Sequence, residues 1–191
     1  MTGAVDEDSL LRAVTTALHR AGIPFMLTGS LASAYYGAGR ATMDIDLVID
    51  ATDSQLRALI ESLSPDRFYA SIDAALEAHR HESLFNVVDA RSGWKVDLIV
   101  RKSRPFSRIE FERRVPVEFE GISLAIAAIE DVIVSKLEWA RLGGSTRQIE
   151  DVAALLRVNG ADIDHDYLAR WVAELGLGVQ WAAARTLAET A

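Results

Sequence analysis

The sequence predicts an α+β fold, a small mixed β-sheet core with flanking helices and a C-terminal helical cap. Three observations support this. Short apolar segments alternate with amphipathic segments as far as residue 127, and from residue 128 onward only the helical spacing of apolar side chains remains. The chain has 191 residues, half of them hydrophobic, which suffices for a substantial core. We therefore expect an α/β core over residues 1–127 and a helical subdomain over residues 128–191 packed on it.

The core elements follow from local patterns. A helix is predicted over residues 6–21, where leucine and valine recur at helical spacing before Gly22 and Pro24. Strands are predicted at 24–28 and 43–49 around a short helix, followed by a helix at 54–63. Further strands are predicted at 84–89, 94–100, 115–119 and 122–126. The polar segment around His79 is typical of a turn.

The C-terminal part contains three segments with apolar residues at helical spacing. They are AIEDVIVSKLEWARLG, TRQIEDVAALLRVNG and DHDYLARWVAELG. Gly143-Gly144 and Asn159-Gly160 separate them, as expected for breaks between helices. Because no strand pattern interrupts this region, we predict a purely helical subdomain.

Composition limits the classes of function. The net charge of −8 argues against tight unspecific binding to a polyanion. The sequence contains no membrane-spanning stretch and its first residues do not resemble a signal peptide, so we expect a cytoplasmic protein without membrane contact. There is no cysteine, and the four histidines lack zinc spacing. Any metal ion is therefore expected to be held by oxygen.

The segment FMLTGSLASAYYGAGRATMDIDLVID, residues 25–50, is the most informative. Asp44 and Asp46 are two apart in a predicted strand, so both carboxylates face the same side of the sheet. Gly29 and Ser30 stand at a strand-to-helix turn, where unpaired N–H groups suit a phosphate. An alternative interpretation is an N-cap and two turn-capping aspartates. Two like charges in an apolar strand require a partner, and this favours a divalent cation over the alternative.

A second charged segment, RKSRPFSRIEFERR at residues 101–114, has two interpretations. It is either a positive patch for phosphates or a solvated connector between strands. Glu110 and Glu112 dilute the charge and favour the connector.

Gly29-Ser30, followed at a distance by Asp44-Ile45-Asp46, resembles the signature of the nucleotidyltransferase superfamily with the polymerase beta-like fold. The sequence from Arg40 to Asp46 is similar to that of the AbiEii/MenT-type group of toxin–antitoxin nucleotidyltransferases. The resemblance extends over roughly residues 24–157. It implies a nucleotidyltransferase core, with Asp97 in WKVDLIV as the third acidic residue of the metal site.

The resemblance also extends to the C-terminal helices. SKLEWAR and RQIEDV are similar to the Lys- and Asp-bearing helices of that group, which assigns Lys136 to the triphosphate and gives Asp151 a catalytic role. Asp151 either orients Lys136 or positions the acceptor hydroxyl. The alternatives are a lysine that extends along its helix into water and an exposed helix carboxylate. The chain departs from the group at Gln148, where many members have an aspartate after a basic residue.

Arg40 and Thr42 precede the carboxylate strand and are candidates for nucleotide binding. A guanidinium offers a planar fork to phosphate oxygens, and a threonine hydroxyl can donate one more hydrogen bond. The alternatives are a salt bridge that steadies the loop for Arg40 and a cap for Thr42.

The predicted activity is the Mg²⁺-dependent transfer of a nucleoside monophosphate from a nucleoside triphosphate to an acceptor hydroxyl. Asp44, Asp46 and Asp97 are expected to hold two Mg²⁺ ions. The resemblance implies the tRNA 3′ end as acceptor and an antitoxin protein as partner. Two alternatives remain open: a nucleotidyltransferase that modifies a small molecule such as an antibiotic, and a nucleotide- or partner-binding module without transferase activity.

Overall fold

The computed structural model describes residues 4–190, with side chains from residue 10 onward. Seven strands and nine helices lie within these residues. The strands are β1 (Phe25–Thr28), β2 (Asp44–Ile49), β3 (Phe68–Tyr69), β4 (Leu84–Asp89), β5 (Lys95–Val100), β6 (Val115–Phe119) and β7 (Ile122–Ile126). The helices are α1 (Ala4–Arg20), α2 (Gly29–Tyr35), α3 (Asp53–Ser62), α4 (Ile72–Arg80), α5 (Pro105–Glu112), α6 (Ile129–Gly143), α7 (Thr146–Asn159), α8 (His165–Glu174) and α9 (Gly178–Thr190).

All seven strands form one mixed sheet in the order β3-β4-β5-β2-β1-β7-β6. β2 pairs with β5 in parallel and with β1 antiparallel, and β1 pairs in parallel with β7. The pairs β3–β4, β4–β5 and β6–β7 are antiparallel. This arrangement confirms the predicted mixed α/β architecture.

The two central strands separate polar from apolar side chains. In β2 and β5, the residues Ile45, Leu47, Val96 and Leu98 are fully buried. Asp44, Asp46, Lys95 and Asp97 alternate with them and are partly exposed. Since successive side chains of a strand point to opposite faces, the apolar set lies on one face of the sheet and the charged set on the other.

The chain forms two compact units. The first comprises the residues up to Thr28 together with Ala41–Ile126, and the second comprises Gly29–Arg40 with the residues from Ala127 onward. The sequence places the boundary after residue 127 and assigns the segment 29–40 to the sheet part. The structure groups this segment with the later helices because the Tyr36 hydroxyl donates to the Ala127 carbonyl at 2.9 Å and Asn159 donates to the Tyr36 carbonyl at 2.9 Å.

The second unit is helical. α6 packs against α2 and α7, and α7 packs against α9. Apolar side chains spaced three and four apart on α6, among them Ile133 and Leu137, are fully buried. Gly144 ends α6 with a φ of 60°, a left-handed conformation that glycine adopts without steric strain.

Four elements differ from the sequence prediction. α4 extends into the segment around His79 that was predicted as a turn, and His79 lies in its last turn. β3 lies in a stretch for which no element was predicted. α5 lies inside the segment predicted as a connector, with Pro105 at its first position. α9 follows the three predicted C-terminal helices as a fourth. Among the described residues, no helix is both long and apolar enough to cross a membrane.

Asp89, at the end of β4, is a buried carboxylate whose contacts contribute to the stability of the first unit. Its Oδ2 accepts hydrogen bonds from Arg67 at 2.8 and 3.0 Å, and its Oδ1 accepts one from the Arg91 amide at 2.9 Å. Burial alone would raise the pKa of Asp89, but these hydrogen bonds outweigh it and the pKa lies below its ordinary value. The ionised carboxylate therefore stabilises the fold above about pH 4, and this contribution is lost as pH falls through the lowered pKa.

We predict that Asp89→Asn lowers the free energy of unfolding by about 2–3 kcal/mol at pH 7, because Arg67 loses its charged partner. Urea denaturation measures this value. The exposed control Asp66→Asn should stay within about 0.5 kcal/mol of the parent chain. Equal effects of the two substitutions would contradict the assignment. So would a loss of stability in acid that is as large for Asp89→Asn as for the parent chain.

Candidate active site

A row of polar residues crosses the sheet at the point where the predicted carboxylates lie. In the parallel pairing of β2 with β5, Asp46 stands directly beside Asp97, and Asp44 stands beside Lys95. The antiparallel neighbours extend the row, because Thr28 of β1 is opposite Asp46 and Asn86 of β4 is opposite Asp97. Residues paired across neighbouring strands project to the same face. The three predicted acids Asp44, Asp46 and Asp97 thus share one face of the first unit.

Lys95 lies between two of these acids. Its Nζ is 3.0 and 3.1 Å from the Asp97 oxygens and 3.5 Å from Asp44 Oδ1. Asn86 Nδ2 also donates to Asp97 Oδ1, at 2.5 Å. Burial lowers the pKa of Lys95, but the hydrogen bonds and charges of Asp97 and Asp44 outweigh it, and the pKa lies above its ordinary value. Lys95 is therefore a protonated cation held by the carboxylates.

These contacts affect how the acids can bind a metal ion. Within the described part of the chain, no group of three or more Asp, Glu, His or Cys side chains has the arrangement of a metal site. Asp44 Oδ1 and Asp97 Oδ2 are separated by no more than the sum of their distances to Lys95 Nζ, 3.5 and 3.0 Å. Mg²⁺ takes oxygen ligands at about 2.0–2.1 Å, so Asp44 and Asp97 can share one ion only if their oxygens lie within about 4.2 Å of each other.

Thr42 caps the start of the carboxylate strand. Its Oγ1 accepts a hydrogen bond from the Asp44 amide at 3.2 Å and lies 3.3 Å from the Asp44 carbonyl oxygen. This local bond is the alternative that the sequence left open for Thr42, and it fixes the backbone from which the Asp44 carboxylate projects.

Gly29 and Ser30 stand at the start of α2, directly after Thr28 in the chain. Gly29 has a φ of 64°, in the left-handed region, and Ser30 is buried. The conformation at Gly29 favours glycine because a Cβ would be strained there. The backbone conformation between β1 and α2 thus accounts for the glycine at position 29 of the motif.

A second charged cluster lies in the helical unit. Lys136 Nζ, almost completely buried, donates to Asp151 Oδ2 at 2.7 Å and to Gln148 Oε1 at 3.3 Å. Arg40 Nε donates to both oxygens of Asp151, at 3.1 and 3.2 Å. Asp151 is buried rather than exposed on its helix. The structure therefore brings together Arg40, Lys136 and Asp151, with Asp151 in contact with both basic residues.

The basic segment 101–114 is engaged in structural contacts. Arg101 forms an ion pair with Asp50 at 3.0 Å. The guanidinium groups of Arg104 and Arg114 lie over the rings of Phe106 and Phe111 at 5.4 and 4.3 Å from the ring centres. These contacts are typical of residues that anchor a helix between strands.

Lys95 and Asn86 both contact Asp97, although neither is among the site residues predicted from the sequence. A signal was present, because Lys95 is two residues before Asp97 in one strand and therefore on its face. Asn86 interrupts the apolar residues Leu84, Phe85, Val87 and Val88 of β4.

The fold is similar to that of solved nucleotidyltransferase structures. An antigenic nucleotidyltransferase-like protein from Paracoccidioides brasiliensis is 16% identical, with a TM-score of 0.56, over 95% of this chain and 94% of that one. ANT(2")-Ia in complex with adenylyl-2"-tobramycin is 16% identical, with a TM-score of 0.55, over 95% of this chain and 98% of that one. At this identity the likeness establishes the fold alone, which is that of the nucleotidyltransferase class.

The family is established by a sequence comparison. No curated protein matches the chain at a significant level. The model of the family described as nucleotidyl transferase AbiEii toxin, type IV TA system, matches residues 10–177. The chain belongs to this family and is accordingly a nucleotidyltransferase. This result confirms the resemblance drawn from Gly29-Ser30 and the Asp44-Ile45-Asp46 motif.

The contacts of Asp151 lead to a stability prediction. Asp151→Asn should lower the free energy of unfolding by about 3 kcal/mol, because the substitution leaves the buried Lys136 ammonium without this carboxylate. The double variant Lys136→Met/Asp151→Asn should lose less than the sum of the two single variants, because the residues are in contact. Chemical denaturation measures all three.

The matched control is Glu150→Gln, which removes an exposed carboxylate from the same helix and should change stability by less than about 0.5 kcal/mol. Additive single effects, or a loss for Glu150→Gln as large as that for Asp151→Asn, would show that the buried pair has no special role.

Proposed function

We propose that this chain transfers a nucleoside monophosphate from a nucleoside triphosphate to an acceptor hydroxyl, with Mg²⁺ held by Asp44, Asp46 and Asp97. The observation that carries the proposal is the pairing of Asp46 with Asp97 in adjacent parallel strands, with Asp44 on the same face. Membership of a family of nucleotidyl transferase toxins supports it.

The donor set fits magnesium, because carboxylate oxygens are the ligands that this hard cation prefers. The Lys95 ammonium contacts Asp44 and Asp97, so these carboxylates already accept one positive charge between them. When bound, two Mg²⁺ ions would offset the phosphate charges and lower the pKa of the acceptor hydroxyl.

The side chains of the site have separate roles in this proposal. The acceptor oxygen forms a bond to the α-phosphorus, the bond from that phosphorus to the oxygen shared with the β-phosphate breaks, and pyrophosphate leaves. We assign the acceptor proton to Asp97. Its carboxylate accepts a hydrogen bond from Asn86, which orients it as a positioned base requires. Asp44 and Asp46 serve as ligands.

Four residues are proposed to bind the triphosphate. Gly29 and Ser30 offer backbone N–H groups at the start of α2, and Arg40 offers a planar donor fork. Lys136 is the fourth, and its contact with Asp151 supports a positioning role for that acid. Thr42 acts mainly through the backbone of Asp44, and we propose that it also approaches the nucleotide.

The proposed acceptor is the tRNA 3′ end, and the proposed partner is an antitoxin protein. The antitoxin rests on the family, which is described as a toxin of type IV toxin–antitoxin systems. The tRNA acceptor rests on the resemblance of the Arg40–Asp46 segment to the toxin group. The net charge of −8 favours a transient encounter with RNA over stable binding. With tRNA as acceptor, the reaction would take place in the cytoplasm.

One observation favours a second candidate, a nucleotide-binding module without transferase activity. Lys95 already supplies a cation to Asp44 and Asp97, and a module that needs no divalent ion would keep it there. A small-molecule acceptor is the remaining alternative.

The proposal is tested by incubating the protein with each α-³²P-labelled nucleoside triphosphate, Mg²⁺ and total tRNA, with an aminoglycoside as the second acceptor. We expect label to appear in tRNA. Asp46→Ala should reduce the rate by about a hundredfold or more, because an essential ligand is lost. EDTA should abolish the reaction.

The matched control is Asp50→Asn, which removes a carboxylate just after the same strand, outside the proposed site, and should retain activity. Label in the aminoglycoside alone would show that the acceptor is a small molecule rather than tRNA. Nucleotide binding without transfer to any acceptor would favour the module, and equal activity of Asp46→Ala and the parent chain would exclude the proposed site.

A further inference from the structure

Lys95 has a position that the proposed reaction does not use. It stands beside Asp44 in the strand register and two residues before Asp97, so all three share one face. Its Nζ bridges Asp44 and Asp97, while the side chain remains 39% exposed. An ammonium group between two carboxylates is itself a bound cation, supplied by the chain.

The contacts of Asp97 show which of its acceptor sites Lys95 occupies. A carboxylate has two oxygens with about four acceptor sites. Both Asp97 oxygens accept from Lys95, and Oδ1 also accepts from Asn86. A metal ion bound by Asp97 would have to share these sites with Lys95 or take them from it. Two cations in contact with the same carboxylate also repel each other.

The Lys95 ammonium is suited to move away from the two carboxylates. Its ammonium is on a flexible four-carbon stem, and a partly exposed lysine can extend its head group into water while the stem stays packed. Asn86, by contrast, has a short amide side chain on β4 and can keep its hydrogen bond to Asp97 Oδ1 when Lys95 leaves. The strands that carry the acids need not move.

We infer that Lys95 is a displaceable counter-ion of the Asp44–Asp97 pair, which competes with divalent metal ions for these carboxylates and is released when they bind. The inference rests on the proposed function, because it concerns the same carboxylates. It assigns Lys95 a regulatory role. Lys95 keeps the acids paired in the absence of metal and sets the metal concentration at which the site is filled.

The test measures metal binding directly rather than activity. Mn²⁺ is titrated into the parent chain, Lys95→Met and Lys95→Gln, and free Mn²⁺ is followed by electron paramagnetic resonance. We expect the two Lys95 variants to bind Mn²⁺ about tenfold more tightly, because the competing charge is removed. Asp97→Asn should lose the site. The control Lys102→Met, which removes an exposed lysine outside the row, should bind like the parent chain.

A second readout uses the small number of lysines, three in the chain, at positions 95, 102 and 136. Acetylation is quantified by mass spectrometry with and without Mg²⁺. The extent of acetylation at Lys95 should rise when Mg²⁺ is present. The ratio of acetylation at the exposed Lys102 to that at the buried Lys136 should stay the same.

The outcomes separate the two claims. Unchanged or weaker Mn²⁺ binding in both Lys95 variants, with binding retained in the parent chain, would overturn the role of Lys95 and leave the proposed function intact. Absence of Mn²⁺ binding in every variant would overturn both. Circular dichroism of each variant confirms that the fold is kept.

Discussion

The parallel pairing of β2 with β5 is the constraint on which the rest of the account depends. The register fixes Asp46 beside Asp97 and Asp44 beside Lys95, and the strand alternation places all four on one face. On the opposite face, Ile45, Leu47, Val96 and Leu98 are fully buried. A slip of one residue would move these apolar side chains out of the core, so hydrophobic burial holds the carboxylates in place.

The charged residues of the two units illustrate two ways of stabilising like charges. In the sheet unit, three acids gather on one face, with the partly exposed Lys95 in contact with two of them. In the helical unit, Lys136 and Arg40 converge on Asp151, and both Lys136 and Asp151 are buried. The first arrangement is suited to binding an ion, whereas the second is suited to holding Lys136 in one orientation.

Local patterns predicted much of the fold but little of the contact geometry. The alternation of apolar residues predicted the bounds of β4 and β7 to the residue, because one face of each strand is buried. The bounds of β6 were also predicted, although none of its five residues is fully buried. α5 was missed because charged residues dominate its exposed side, and α9 because its start follows a glycine-rich stretch. Periodicity placed Lys95 on the face of Asp97, but it contains no information on whether the ammonium turns toward the carboxylates. The grouping of Gly29–Arg40 with the later helices depends on contacts such as that of Tyr36 with Ala127, which are distant in sequence.

The central claim is that the carboxylate row on β2 and β5 binds a divalent cation. The most direct measurement is the anomalous X-ray diffraction of crystals soaked with Mn²⁺ and a non-hydrolysable nucleoside triphosphate. The account predicts an anomalous peak shared by Asp46 and Asp97, with the Lys95 ammonium moved away from Asp97. Fully occupied nucleotide without a manganese peak at these acids, and with Lys95 still bridging Asp44 and Asp97, would contradict it.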